Sequence, residues 1–509
     1  MLDEHIWTQI LELWNHPRLL PPFLHKNAKD APKPVQKEIA AFVYEDRRVH
    51  INLEHLCEEL GTEPERVHSV AAHEVGHHSL IPHSPEMALR LTAAANCVLK
   101  NWSDSQFIEN IFDDMIDNTY IVENSEYFGR ELITTISRME KMKKERFGQL
   151  YLRSYENLWK LAPGTLVPET KDAKLAADAQ KIAAILSDST YQASTWPAKI
   201  ENIAHIMKDY LPKNPSGMVC RIRAPGELGN INQALQEIAK EMDINDFQKM
   251  CAGLGLGTPD FANEQYYLGL ARQYSIKLPE TEVVAGEMYP HTPKTWLPSD
   301  PVNKLNVPYT LQMFGKIIPG VTTRQWDYKQ GVAWKQSKEH PDLAIVLDSS
   351  GSMPKPNKTV SYPVLSSFVA AESALEAGCS TAVINFSGEG QFVTVPYTQN
   401  RDAIHDGLHV YFNGGTEFPS EAFLKLISGN RRKQHILMIS DGGVCNPDDW
   451  LGAMQKGIER AGSGTLFLSG VEDGAVKELK NMGYRVWPMN SDRDLLRVVE
   501  AEAHELYGG

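Results

Sequence analysis

Apolar residues recur at helical intervals through the first half of the chain. Residues 65–80, for example, place apolar side chains three or four positions apart, which predicts an amphipathic helix. Residues 47–56 differ, because apolar and polar residues alternate there as they do in an edge strand. We therefore expect residues 1–160 to form a mainly helical α+β domain with a small sheet, and residues 161–280 to form a helical middle region.

The pattern changes twice after residue 280. Residues 281–341 carry six prolines between positions 290 and 319, and few periodic apolar runs. Proline lacks an amide donor and fixes φ, so this stretch is predicted to be an extended connector. In residues 342–509, short apolar runs alternate with helical stretches, which is typical of a doubly wound, Rossmann-like α/β domain with buried parallel strands. The predicted strands are residues 342–348, 380–386, 435–441, 465–470 and 484–489.

The first chemical signal is HEVGH at positions 73–77, an H-E-x-x-H motif within a predicted helix. Residues four apart lie on one face of a helix, so His73 and His77 can direct ring nitrogens at one cation, with Glu74 beside them. Neutral imidazoles are typical Zn²⁺ ligands, and a nearby carboxylate can act as general base on a zinc-activated water. The motif therefore predicts a zinc site with Glu74 as its catalytic residue.

A catalytic zinc site needs a third protein ligand, and a later predicted helix offers several acids. Glu109 and Asp113 have the E-x-x-x-D spacing of a zinc-binding glutamate followed by an aspartate that orients a ligand histidine. Asn110, Asp114 and Asn118 form a competing stripe, in which Asp114 binds the metal and Asn118 holds a ligand by a hydrogen bond. Spacing alone leaves both alternatives open.

A second group of polar residues occurs at predicted strand ends in the C-terminal region. The first of these strands runs into a D-x-S-x-S sequence that contains Asp348, Ser350 and Ser352. Thr416 lies in a glycine-rich loop before a helix, and Asp441 ends a later strand. Ligands bind α/β sheets at the carboxyl ends of the strands, and hard oxygen ligands suit Mg²⁺. These residues therefore predict a magnesium site, which Mn²⁺ or Ca²⁺ could also occupy.

These motifs resemble those of two known protein families. HEVGHH followed by NIFDDMIDN looks like the predicted metallopeptidase domains that precede von Willebrand factor A domains in bacterial and archaeal proteins. This resemblance implies a zincin-like domain that cleaves peptide bonds, and it favours Asp114 as third zinc ligand, with Glu109 and then Asp113 as alternatives. The D-x-S-x-S sequence with Thr416 and Asp441 resembles the metal-ion-dependent adhesion site of A domains. In that family an acidic side chain of a protein partner completes the coordination of the ion.

Residues 297–328 resemble the segment that joins such domains in proteins associated with MoxR-type AAA+ ATPases. Together, the resemblances imply a zinc metallopeptidase that acts on a protein or peptide, joined to a magnesium-dependent A domain whose partner is a MoxR-type ATPase. The alternative is a non-enzymatic adaptor of such an ATPase, in which the zincin-like domain uses metal structurally or binds peptide without cutting it.

Charge and cysteine content narrow the class of protein further. The 509 residues carry a net charge of −14, which argues against a nucleic-acid or anionic-membrane binder, because such proteins need a basic surface. The six cysteines are dispersed without a CxxC pair. The sequence also starts without a typical signal peptide and has no uncharged apolar run of ~18 residues. We therefore expect a cytoplasmic protein with no nucleic-acid or membrane partner.

Overall fold

The computed structural model describes residues 2–36, 38–43, 48–60, 64–212, 231–274, 284–333, 340–469, 471, 473–488 and 492–507. It contains two compact units, one of residues 1–273 with 355–360, the other of residues 274–354 with 361–509. Residues 213–230 and 275–283, which belong to the predicted middle region and connector, lie outside the described ranges. Within those ranges, every helix is too short or too polar to traverse a bilayer.

The first unit is mainly helical and carries one small sheet. Its strands are β1 (Phe23–His25), β2 (Ala40–Val43) and β3 (Arg48–Asn52). Its helices are α1 (Glu4–Leu13), α2 (Leu53–Leu60), α3 (Pro64–Ser79), α4 (Pro85–Leu99), α5 (Trp102–Asn124), α6 (Glu126–Ile136), α7 (Glu140–Lys144), α8 (Arg146–Leu158), α9 (Ala173–Ser187), α10 (Trp196–Met207), α11 (Ile231–Ile238), α12 (Ile244–Gly253) and α13 (Pro259–Ala271). Side-chain caps help to define their ends: the carboxamide of Asn101, for example, accepts hydrogen bonds from two amides in the first turn of α5.

The small sheet corrects one sequence prediction. Its strand order is β1-β3-β2, with β3 parallel to β1 and antiparallel to β2. Residues 47–56, predicted to be an edge strand, therefore provide the central strand β3 and the beginning of α2. The prediction of an edge position for this strand was wrong because its neighbour β1 was not recognised. Strand β1 has only three residues, too few to show an alternating pattern along the sequence.

Helix α5 is buried on nearly all sides. Fifteen of its 23 residues are buried, including the four acids Glu109, Asp113, Asp114 and Asp117. A helix that is buried around its whole circumference lies inside a core, where carboxylates need partners or a cation. The surrounding hydrophobic core includes side chains from Trp7 to Tyr210, so the domain boundary predicted at residue 160 has no counterpart in it.

The second unit combines a hairpin with a six-stranded sheet and its flanking helices. Its strands are β4 (Val284–Thr295), β5 (Arg324–Ala333), β6 (Asp342–Asp348), β7 (Thr381–Phe386), β8 (Phe392–Thr398), β9 (Gln434–Ser440), β10 (Gly462–Leu468) and β11 (Arg485–Pro488). Its helices are α14 (Val307–Phe314), α15 (Tyr362–Glu376), α16 (Arg401–His409), α17 (Ser420–Ser428), α18 (Pro447–Ala461), α19 (Asp473–Asn481) and α20 (Asp492–Tyr507). The coarse prediction of a chain built from helices and sheets, with a large sheet near its C-terminus, is confirmed.

The six-stranded sheet has the order β11-β10-β9-β6-β7-β8, in which all neighbours are parallel except β7 and β8. The five predicted strands correspond to β6, β7, β9, β10 and β11. Strand β8 was not predicted, and it makes the sheet mixed instead of wholly parallel. Its sequence, FVTVPYT, contains a proline and is largely exposed, which an edge strand tolerates and a buried parallel strand does not.

The predicted connector is folded as an antiparallel hairpin of β4 and β5, with α14 in the segment between them. Pro290 and Pro293 lie within β4, where the register shifts between Pro290 and Thr292. A two-stranded ribbon accepts proline because each strand is an edge with amides that need no partner in a sheet. Pro290 and Pro293 thus lie in extended backbone, whereas Pro308 lies in the first turn of α14, and the pairing of β4 with β5 was not predicted.

Two candidate metal sites

The H-E-x-x-H motif lies in the second half of α3, and its two histidines face the same side of the helix. The Nε2 atoms of His73 and His77 are 3.1 Å apart, and both side chains are buried. A spacing of four residues places side chains one above the other on a helix, which explains why the two rings meet. Helix α3 thus offers two nitrogen ligands from a single turn.

Asp114 of α5 completes a group of three potential ligand atoms. Its Oδ1 lies 3.5 Å from Nε2 of His73 and 3.2 Å from Nε2 of His77. A tetrahedral zinc ion with bonds of ~2.05 Å separates its ligand atoms by ~3.3 Å, so the three atoms fit one face of such a tetrahedron. In the part of the chain that the structure describes, they are the sole such group of three or more His, Cys, Asp or Glu side chains. Glu109 and Asp113, the alternative ligands, are buried on α5 outside this group.

The ring of His73 is oriented by Asn118, one turn beyond Asp114 on α5. Nδ1 of His73 lies 2.9 Å from Oδ1 of Asn118, which can only accept a hydrogen bond. His73 therefore donates from Nδ1, which leaves a lone pair on Nε2. This lone pair is available to a cation held between Nε2 and the other two potential ligand atoms. Asn118 is held in turn, because its Nδ2 donates to the phenol oxygen of Tyr155 over 2.7 Å.

Tyr155 connects this support back to Asp114. Its hydroxyl donates to the backbone carbonyl oxygen of Asp114 over 3.1 Å. Burial, together with the negative charge of Asp114, raises the pKa of Tyr155 well above its ordinary value, so the phenol remains a neutral donor. Tyr155 of α8 thus holds the turn of α5 that carries Asp114, the third potential ligand.

The sequence patterns did not single out Asp117, which contacts the second histidine. Its Oδ2 lies 3.0 Å from Nδ1 of His77, and the same nitrogen is 3.2 Å from the carbonyl oxygen of Ile81. The hydrogen bond of His77 Nδ1 is to Ile81, while the Asp117 carboxylate places negative charge beside the same ring. It follows Asp114 by three residues, a spacing that puts both acids on one face of α5 and could have signalled its role.

Gly76, a variable position of the H-E-x-x-H motif, is required by this packing. A Cβ atom at Gly76 would lie 2.8 Å from the ring of Trp14 and 2.9 Å from Cγ of Asp117. Trp14 is itself held, because its indole nitrogen donates to the carbonyl oxygen of Ala72 over 2.8 Å. Glycine therefore lets α3 approach α1 and α5 closely enough for His77 and Asp117 to meet.

We expect Asp117→Asn to weaken zinc binding by ~10–100-fold, the usual effect of removing a carboxylate behind a ligand histidine. The amide keeps the size of the side chain but removes its negative charge, so the fold should survive. Competition with a chromophoric zinc chelator measures the affinity. Asp104→Asn, at the start of the same helix, is the matched control and should bind zinc as the wild type does. Equal affinities of Asp117→Asn and Asp104→Asn would contradict the supporting role of Asp117.

Glu74 lines a small cavity beside the three ligand atoms. The cavity has a volume of ≈ 50 Å³ and is also bordered by His73, Asp114, Asn118 and apolar side chains of α6 and its C-terminal loop. Its volume exceeds the ~10–15 Å³ that a water molecule requires, but it is far smaller than the ~300–1,000 Å³ of ordinary ligand pockets. The Glu74 carboxylate therefore has room for water beside it and none for a peptide.

The second predicted site lies where β6 and β9 end side by side. Asp348 is the last residue of β6, and its carboxylate accepts hydrogen bonds from the amide of Ser350 (2.8 Å) and the hydroxyl of Ser440 (2.6 Å). Burial raises the pKa of Asp348, and these two hydrogen bonds oppose that rise. Chain connections leave β6 towards β7 on one side, while β9 lies on the other. This point of divergence is where open α/β sheets bind ligands.

Ser350, Ser352 and Asp441 contact one another at the same end of the sheet, and Thr416 lies in a neighbouring loop. The hydroxyls of Ser350 and Ser352 are 3.1 Å apart, and Ser352 donates to the carboxylate of Asp441. Thr416 is buried in a neighbouring loop, where its carbonyl oxygen accepts from the amide of Cys445 over 2.7 Å. That loop is tied to the one after β6 by a hydrogen bond of 2.8 Å from the amide of Gly351 to the carbonyl oxygen of Gly414. The arrangement gathers two carboxylates and two hydroxyls, which are hard oxygen donors.

The chain was compared with protein families, curated proteins and solved structures. No family model matches the chain. No curated protein matches it either. Among solved structures, two of proximal thread matrix protein 1 from the mussel byssus are similar at 18% and 19% sequence identity, each with a TM-score of 0.26. Each match covers 32% of this chain and 46% of that one, so the chain spans about half the length of that protein. Similarity at this level carries no conclusion about fold or function.

Proposed function

We propose that the first unit is a zinc-dependent peptidase. The triangle formed by Nε2 of His73, Nε2 of His77 and Oδ1 of Asp114 carries this proposal, because its edges of 3.1, 3.5 and 3.2 Å suit a tetrahedral ion. Three ligands leave a fourth position, as catalytic zinc sites require. Glu74 lies next to this group on a cavity that has room for water. The resemblance of the motif to metallopeptidase domains supports peptide bonds as the substrate class.

In this proposal each residue of the site has a separate role. His73, His77 and Asp114 hold the ion, while Asn118 orients the first histidine. When bound, zinc supplies a Lewis acid that polarises the scissile carbonyl and lowers the pKa of a coordinated water. The carboxylate of Glu74 accepts the proton that the attacking water loses and passes it to the departing amine. A structural zinc site has no use for such a base, so its presence favours hydrolysis.

The burial of the site favours a second candidate function without catalysis. His73, Glu74, His77 and Asp114 are each at most 7% exposed, and the adjoining cavity is ≈ 50 Å³. A peptide could reach the zinc only after the cavity wall had moved, whereas a structural ion needs no access. In this alternative, zinc stabilises the first unit, and the protein is an adaptor of a MoxR-type AAA+ ATPase.

We also propose that the Asp348 group binds Mg²⁺, or Mn²⁺ or Ca²⁺ in its place. Support comes from the two carboxylates and two hydroxyls at the ends of β6 and β9, a chemistry that suits hard cations. The resemblance to the adhesion site of von Willebrand factor A domains supports a protein partner that adds an acidic side chain to the ion. A MoxR-type ATPase is the partner that the resemblance of residues 297–328 implies.

The zinc content of the purified full-length protein tests the first proposal. Elemental analysis should find about one zinc ion per chain after dialysis against metal-free buffer, because three ligands in a buried site release the ion slowly. His73→Ala and Asp114→Ala should each lose it. His83→Asn is the matched control, since His83 is an exposed histidine shortly after the motif with a positive φ of 45° that asparagine tolerates.

The outcomes separate the two candidate functions. Zinc together with chelator-sensitive cleavage of a denatured protein substrate supports the peptidase. Zinc without cleavage, even after prolonged incubation, supports the adaptor with a structural ion. If the wild type contains no zinc and gains no thermal stability from added zinc, the metal site itself is wrong.

A further inference from the structure

Exposed apolar side chains are concentrated between the two strands of the β4–β5 hairpin. Of the fifteen large apolar side chains that are exposed in the described ranges, nine lie between residues 297 and 321. They include Met313, Ile317 and Val321, of which Val321 is 63% exposed. Nine side chains of ~200 Å² that are about half exposed present on the order of 900 Å² of apolar surface within this one segment. We call residues 296–323 the tip.

The backbone of the tip is held by threonine side chains. The amide of Ile318 donates to the hydroxyl of Thr322 over 2.7 Å, and the amide of Gly320 donates to the hydroxyl of Thr323 over 2.9 Å. The Thr323 hydroxyl also donates to the carbonyl oxygen of Trp296 over 2.8 Å. Because both threonines are buried, the chain presents its isoleucines and valine outward from a fixed backbone. A preorganised apolar surface loses little entropy on binding, which is typical of a recognition element.

The tip is basic, although the chain as a whole is acidic. Residues 296–323 contain Lys304 and Lys316 against Asp300, a net charge of +1 in a chain whose net charge is −14, and Arg324 follows directly at the start of β5. Both lysines are exposed. The guanidinium of Arg324 lies 4.6 Å from the centre of the Phe314 ring, so it adds positive charge next to an exposed apolar side chain. The tip therefore fits a surface that is apolar and acidic at once.

A groove of this kind lies on the same unit, between the edge strand β8 and helix α17. It has a volume of ≈ 930 Å³, which is enough for several side chains, and its apolar residues include Phe392 and Leu426. The charged residues that border it are Glu417, Glu421, Asp449 and Lys425, a net charge of −2. The groove and the tip thus complement each other in charge as well as in polarity.

We propose that the tip of one copy docks into this groove on a second copy of the chain. Within one chain the tip is exposed to solvent and the groove is open, so the tip does not occupy the groove of its own chain. Exposed apolar area of this size needs a partner, and about 800 Å² from each side makes an interface of standard size. Because the two contacting surfaces differ, a single contact leaves one tip and one groove free. Such contacts either close, in a reciprocal dimer or a larger ring, or continue as an open filament.

Sedimentation velocity of the full-length protein over a range of concentrations tests the proposal. The wild type should self-associate as its concentration rises. Ile317→Asp with Val321→Asp in the tip, or Glu421→Lys with Asp449→Lys at the groove, should each raise the dissociation constant by ~100-fold or more, because each pair removes central anchors or reverses the charge that steers them. All four positions border solvent, so folding should be retained, and circular dichroism checks it. Leu20→Asp is the matched control, since Leu20 is 47% exposed in the other unit.

Mixing the two variants distinguishes a heterologous contact from any other. The tip variant keeps an intact groove and the groove variant keeps an intact tip, so an equimolar mixture should form dimers with one interface and nothing larger. A wild type that stays monomeric up to ~100 µM, above the dissociation constants usual for such an interface, overturns the proposal. Association that the groove substitutions leave unchanged also overturns it, because the copies would then meet through surfaces other than the groove.

Discussion

Replacing Glu74 with glutamine is expected to lower peptide hydrolysis by ~10²–10⁴-fold while zinc remains bound, because a positioned general base contributes a factor of that size. Glutamine has nearly the shape of glutamate, so the cavity next to His73 and Asp114 should keep its form. The amide has no carboxylate to accept the proton of the attacking water. Turnover should therefore fall with little change in the affinity for zinc.

The experiment needs rates and metal content from the same samples. Cleavage of a denatured protein substrate gives the rate, and elemental analysis gives the zinc per chain. Glu109→Gln is the matched control, because it makes the same change to a buried glutamate on α5 outside the group of three ligand atoms. Loss of zinc from Glu109→Gln would make Glu109 the third ligand in place of Asp114. Undiminished hydrolysis by Glu74→Gln that still holds zinc would show that Glu74 is not the base.

Local spacing explains which parts of the candidate zinc site could be predicted from the sequence. His73 and His77 belong to one helix, so the helical period alone places their rings together. The third potential ligand comes from another helix, on which four acids are buried, and spacing cannot tell which of them faces α3. Which acid faces α3 depends on how α3 and α5 pack together. Gly76 permits their close approach because it has no Cβ atom. Tertiary packing of this kind leaves no periodic trace in the sequence.

The same distinction applies to the sheets and the tip. Long buried strands such as β6 and β9 produce apolar runs that are visible without a structure. Strand β1 is too short for a pattern, and β8 is exposed and contains a proline, so neither could be found by its apolar period. The prolines of the hairpin indicated an extended chain. They could not reveal that the buried Thr322 and Thr323 fix the backbone of the tip by hydrogen bonds while its apolar side chains stay exposed.

Asp348→Ala is expected to abolish binding of Mg²⁺ and Mn²⁺ to the second unit, and binding of the partner with it, without removing zinc from the first. The Asp348 carboxylate contributes the buried negative charge of the site. Without it, the remaining carboxylate is that of Asp441, which is half-exposed, hydrogen-bonded to Ser352 and too weak a ligand to hold a divalent cation by itself. Zinc should be retained because His73 and Asp114 belong to the other compact unit. Titration followed by Mn²⁺ electron paramagnetic resonance measures the loss, and elemental analysis measures the zinc.

Loss of metal must be separated from loss of fold in this variant. Alanine leaves the amide of Ser350 and the hydroxyl of Ser440 without the acceptor they have in the wild type, at a cost of about 1–3 kcal/mol. Asp348→Asn is the matched variant, because its amide oxygen can still accept from Ser350 while the charge is gone. Saturating Mg²⁺ should raise the melting temperature of the wild type, since a ligand that binds only the folded state stabilises it, and should leave both variants unchanged. A metal-dependent rise in Asp348→Asn would place the cation elsewhere, and zinc lost from either variant would mean that the two sites depend on each other.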